Sequence, residues 1–239
     1  MGKKYVPILF MLIASLSCAL IPTPETIIET VEVTKIVSEI TVVTATPQPL
    51  STATPLPATL LEDNFDAGDG EWYLEEGKDY SIYVANGELV LTSYAPNFET
   101  STGHPDLENF NKPFEMNVEI TFVDGAVDSY AGIDFRYFDE DNYAEFLISA
   151  DGFATLGLFF EGEWYDIMAW SSVRSLRSGT NEIRLIDTGS RVIAYANGEL
   201  IFDVPLSDLG PSGIYFLVGT YDDGRAEWTF DNLEIREVN

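Results

Sequence analysis

The 239-residue chain carries 12 basic residues against 40 acidic ones, a formal net charge of −28, and nine of the basic and 36 of the acidic residues lie from Leu61 onward. Such a surface repels nucleic-acid phosphates and anionic lipid headgroups, which excludes partners recognised through a basic footprint; neutral glycans, cationic partners and divalent cations remain. With 46% hydrophobic and 13% aromatic residues, the chain has enough apolar side chain to bury an aromatic-rich core.

Lys3 and Lys4 precede an apolar run over residues 6–16, followed by the small residues Ser17, Cys18 and Ala19. This is the pattern of an export signal, too short to span a bilayer. Cys18 ends the run and resembles the lipidated cysteine of bacterial lipoproteins, although Ser15 stands where a lipobox usually has Leu. The resemblance implies residues 1–18 as signal, a lipid on Cys18 as the membrane anchor, and a cell-surface location. Ser17-Cys18-Ala19 is alternatively an ordinary cleavage site. No other cysteine follows, so the folded part relies on packing rather than disulfides. Residues 19–60, rich in Thr, Val and Pro and ending in TATPQPLSTATPLPAT, read as an extended stalk.

Residues 61–239 read as strands. Residues 114–122 place Phe114, Met116, Val118, Ile120 and Phe122 at alternate positions, the signature of a half-buried strand. Asn86-Gly87 and Asn197-Gly198 sit between alternating runs, where a type I′ hairpin turn needs positive φ at both residues. Asp139 to Asn142, Asp151-Gly152, Glu161-Gly162 and Thr188-Gly189 supply further turns, so residues 130–204 read as a meander. Helical spacing is sustained nowhere in this region. The expectation is an all-β, two-sheet antiparallel jelly-roll sandwich.

The ordered motifs Asp63-Asn64-Phe65, Trp72, Asn86-Gly87, Ala131 to Arg136, Asp141-Asn142-Tyr143, Gly162-Glu163-Trp164, Trp170, Asn197-Gly198 and Phe230 to Leu233 resemble laminin-G-like, concanavalin-A-like jelly rolls. Among these the sequence is similar to the 3-keto-disaccharide hydrolase domain family. The resemblance implies a superfamily of lectins, glycan-binding modules and glycosidases, and so leaves function open.

Pairing the hairpins in the simplest register sets Phe138 opposite Tyr143, Arg136 opposite Glu145 and Ala150 opposite Phe153. One face then carries Ile133, Phe135, Phe146, Ile148, Phe159, Trp164 and Met168 into the core. The other carries Asp134, Arg136, Tyr143, Glu145, Leu156, Leu158, Tyr165 and Ile167, and Asp134, Arg136, Tyr143, Glu145 and Tyr165 are the candidate glycan ligands: rings to stack on pyranose faces and polar groups for hydroxyls. An alternative makes Arg136 and Glu145 a plain cross-strand ion pair. Asp134 and Glu145, diagonal neighbours in this register, would be the carboxyl pair if the domain were a glycosidase. The E-x-D-x-x-E strand of jelly-roll endoglucanases is not matched, since Gly132 and Tyr137 stand where its glutamates belong. The four tryptophans are expected in the core, with stacking on sugars as the alternative, and His104 in an exposed loop. Asp63, Asp66, Asp69 and Asp231 offer oxygens for a structural Ca2+ near the two ends of the domain, with solvated turn carboxylates as the alternative. Three readings stay open: a non-catalytic glycan-binding module, a glycosidase, and an interaction domain without a sugar ligand.

Overall fold

The computed structural model describes residues 58–238 apart from Asp69 and Asp223; the expected signal, Cys18 and nearly all of the stalk lie outside the described residues. Among these residues there are fifteen strands and no helix. Nine form one sheet, in spatial order β13 (Glu199–Pro205), β12 (Arg191–Ala196), β11 (Thr180–Asp187), β6 (Phe114–Gly125), β15 (Ala226–Glu237), β4 (Glu88–Ser93), β3 (Tyr80–Ala85) and β2 (Glu75–Glu76), with β1 (Thr59–Asp63) also paired to β15. Six form the second, in the order β10 (Glu163–Ser172), β9 (Phe153–Phe160), β8 (Asn142–Ser149), β7 (Tyr130–Asp139), β14 (Gly213–Gly219) and β5 (Glu99–Gly103). The expected all-β antiparallel sandwich is present, and its first and last strands lie side by side.

Local chemistry explains the elements. Alternate residues of β6 are buried from Phe114 to Ile120, as the alternation predicts. Asn86 and Gly87 have φ of 55° and 80°, and Asn197 and Gly198 have 52° and 81°, so both Asn-Gly turns take the left-handed geometry that hairpins favour. The meander is divided: β7 to β10 stay in the six-stranded sheet, whereas β11 to β13 belong to the other.

The core lies between the sheets. Met116, Val118, Ile120, Trp228 and Phe230 of the larger sheet meet Ile133, Phe135, Phe146, Leu156 and Phe216 of the smaller one, with Phe216 stacked on Phe230 at 4.8 Å. Trp72 and Trp228 are buried as expected. Trp228 donates to Ser129 Oγ (3.2 Å) and Trp72 to Asp63 Oδ2 (2.8 Å), so neither buried indole is left unpaired.

Arg136 departs from the expected register. The β7–β8 ladder keeps its turn pairing at Asp139 and Asn142 but slips between Phe135 and Asp139, and Arg136 takes a φ of 53°. This bulge turns the side chain into the sandwich, where it is fully buried. Nε and Nη2 donate to the two oxygens of Asp187 on β11 (2.7 and 2.6 Å), and Nη1 donates to the carbonyls of Leu206 and Leu209 (2.9 and 2.7 Å). A left-handed non-glycine residue costs about 1–2 kcal/mol. The bidentate, charge-assisted pair offsets that cost and ties one sheet to the other.

Candidate functional site on the outer face of the six-stranded sheet

Because β7 and β8 pair as Ile133 with Phe146, Asp134 faces Glu145 directly across the ladder on the side away from the core. Both carboxyls are nearly buried, at 5% and 6% exposed, and Asp134 Oδ1 has no hydrogen-bond partner among the described residues. Burial pushes both up, and the charge of Glu99 on β5 adds to it, the Glu145 carboxyl reaching about 8; Asp134 is raised further by Glu145. Two carboxyls set this close share protons rather than ionise together. Glu99 is also raised by burial, and accepts a hydrogen bond from the Tyr130 hydroxyl at 3.1 Å.

Rings surround the pair. Tyr215 on β14, Tyr137 on β7, Tyr143 on β8, Phe159 on β9 and Trp164 on β10 follow one another across five strands, with centroid steps of 4.8, 5.5, 5.4 and 6.4 Å. A second group joins Tyr221 and Trp170 to Tyr130 at 5.2 and 6.2 Å, and Trp170 and Tyr221 line a pocket of about 290 Å³ with Phe153, Asp128, Ser149 and Asp151. Glycines make room for the rings. A Cβ on Gly157 would lie 1.8 Å from the Trp164 ring, one on Gly219 2.2 Å from Tyr130, and one on Gly103 2.8 Å from Tyr215. Each of these rings therefore lies across a neighbouring strand's backbone.

The structure brings Asp134, Glu145 and Tyr143 together and removes two expected members. Arg136 is not on this face and is not paired with Glu145, for the bulge described above turns it to Asp187. Tyr165 pairs with Leu158, a core residue, and so lies on the reverse side of edge strand β10, its hydroxyl donating to Glu163 (3.0 Å). The cause is a one-residue difference at the Asp151-Gly152 turn. Ile148 pairs with Ala154, rather than Ala150 with Phe153, and this slip of one exchanges the two faces as far as the bulge after Asp166, beyond which Met168 packs on the core as expected. Leu156 and Leu158 thereby enter the core, while Phe159 and Trp164 leave it.

Trp164 and Trp170 are 41% and 36% exposed rather than core, and His104 is buried, edge-on to Trp72 at 5.5 Å, its Nδ1 accepting the Asp106 N–H (3.2 Å). Of the acids expected to hold calcium, Asp63 spends its oxygens on Phe65 N–H (2.8 Å) and the Trp72 indole. Asp66 accepts from the Asn64 amide, and Asp231 is raised by burial, with Glu119, Asp66 and Asp63 nearby. Asp69 lies outside the described residues. Among the described residues no group of three or more acidic, histidine or cysteine side chains is arranged to hold a metal ion.

No protein-family model matches the chain, and no curated protein matches it in sequence. In three dimensions it is similar to the carbohydrate-binding module CBM66 from Bacillus subtilis, with a TM-score of 0.53, 16% identity, and coverage of 70% of this chain and 96% of that one. It is also similar to a Bacillus subtilis protein of unknown function with a galectin-like fold (TM-score 0.58, 11% identity, 75% and 96% covered). A third similar structure is the GlcNAcα1-4Gal-releasing endo-β-galactosidase of Clostridium perfringens (TM-score 0.56, 11% identity, 76% and 63% covered). At these identities the likeness establishes the fold, a galectin-like sandwich of the concanavalin-A type.

Proposed function

We propose that the outer face of the six-stranded sheet binds a glycan chain. The observation that carries this reading is the row of five rings from Tyr215 to Trp164, which crosses the strands at sugar-sized intervals beside two carboxyls able to hydrogen-bond hydroxyls. The carbohydrate-binding module among the similar structures supports it. Tyr143→Ala and Trp164→Ala, each removing one plane of the row, should weaken binding on a glycan array at least about fivefold without loss of fold, by analogy with about 1–3 kcal/mol per stacked base on aromatic platforms. Full retention by both variants would reject the face as the binding surface.

A second reading, hydrolysis of the bound sugar, is favoured by one observation: Glu145 is buried directly across the ladder from a second carboxyl, and burial pushes its carboxyl up to about 8, the environment of a general acid. The endo-β-galactosidase among the similar structures points the same way. Asp134→Asn and Glu145→Gln decide between them, because amides preserve shape but transfer no proton. Turnover lost with binding kept marks a hydrolase; no product from the parent protein marks a binding module. We infer, further, that the chain is exported and held at the surface by a lipid on Cys18, so that Cys18→Ala should move it from the membrane fraction to the medium.

A further inference from the structure

Among the described residues, the carboxyl pair at the centre of this face has no partner of opposite charge. Asp134 is nine-tenths buried and its Oδ1 accepts no hydrogen bond, a state that costs more than an exposed carboxylate would. Arg136, two residues along the same strand, is turned through the sandwich to Asp187. Arg184, Arg191, Arg225 and Arg236 all pair with acids of the other sheet or its margins. The titratable groups that face the pair are instead Glu99 on β5, Tyr215 on β14, Tyr130 and Tyr137 on β7, Tyr143 on β8, and Tyr221 after β14. These phenols stay protonated, being raised by burial and by the neighbouring carboxyls.

Two carboxyls among aromatic rings match one ligand chemistry well. An ammonium group supplies charge-assisted N–H donors to both acids and is attracted to ring faces. A neutral hydroxyl offers the acids no charge-assisted contact, and an anionic sugar is repelled. A calcium ion takes six to eight oxygens, more than two carboxyls provide, and no metal cluster occurs among the described residues.

We propose that the glycan bound here carries free, positively charged amino groups, and that one of them docks between Asp134 and Glu145; this rests on the sugar-binding reading above. On docking, the ammonium takes the place of the proton that the pair holds, and that proton passes to the buffer. The amine itself is neither made nor broken.

The test titrates the full chain with a fully deacetylated glucosamine oligomer, its N-acetylated counterpart and a neutral glucose oligomer of equal length. Salt at about 0.3 M screens attraction to the acidic surface at large. The deacetylated oligomer should bind at least tenfold tighter than either other, and calorimetry at pH 7 in two buffers of different ionisation enthalpy should report proton release. The double variant Asp134→Asn/Glu145→Gln should lose the preference. Glu76→Gln/Glu199→Gln, which removes as many carboxyls from exposed strand positions, should keep it. Equal or tighter binding of the acetylated or neutral oligomer overturns the amine proposal and leaves sugar binding standing. Equal losses in the two double variants reduce the effect to surface charge and also overturn it. If neither these oligomers nor any member of a broad glycan array binds, both readings fall.

Discussion

Asp187, itself fully buried, accepts two hydrogen bonds from the buried Arg136 and a third from the Gly189 N–H (2.7 Å). Arg136→Ala leaves that carboxylate buried without its counter-charge and also strands the carbonyls of Leu206 and Leu209. The expected loss is about 3–5 kcal/mol, read from denaturant melts; a loss below about 1 kcal/mol, the value of an exposed pair, would refute the burial. Glu145 gives the opposite sign. Its carboxyl rises from 4.5 in the unfolded chain to about 8 in the fold. Between those values the folded state binds more protons than the unfolded one, and stability falls as pH rises through the window, levelling off above it. Asp134, raised for the same reason, adds to the slope. Unfolding midpoints from pH 5 to 8.5 should therefore decline more steeply for the parent than for Glu145→Gln, and the variant should be the more stable of the two at pH 8. Identical slopes would mean that Glu145 is hydrated and titrates normally.

At the scale of the strand, Gly157 and Trp164 form a unit. Gly157→Ala sets a methyl 1.8 Å from the indole, but Trp164 is half exposed and swings away. The cost to folding should stay within about 1 kcal/mol, while Trp164 fluorescence shifts and glycan binding weakens as if the ring had been removed. The two Asn-Gly hairpins and the alternation of β6 were legible in the sequence because their cause is local: a turn needing positive φ, a period of two. The faces of β9 and β10 were legible in principle too. Ala154, Leu156 and Leu158 make an unbroken apolar set, whereas Phe153, Thr155, Gly157 and Phe159 do not, and that contrast outranks the turn as a guide to register. The Ser149 side chain, which accepts the Phe153 N–H at 3.1 Å, and the Asp151 N–H given to Val127 O set the turn length instead. The bulge at Arg136 had no such local mark. Its cause, Asp187, is 51 residues away on the other sheet.

For the molecule as a whole, the acidic balance expected to repel nucleic acid and anionic lipid also leaves the candidate binding face, among the described residues, without a cation, and the sheets meet over an apolar core crossed by a single buried ion pair among those residues. That crossing has a kinetic consequence. Strands β7 and β11 lie in different sheets, so the Arg136–Asp187 contact forms only once the sheets have docked and water has left the space between them. An interaction made that late is absent from the transition state for folding and is lost on the way back to it. The guanidinium then acts as a latch on the native state: Arg136→Ala should leave the refolding rate nearly unchanged in stopped-flow traces and speed unfolding by on the order of a hundredfold, the rate equivalent of about 3 kcal/mol. Slowed refolding with unfolding unchanged would instead place this contact in the folding nucleus.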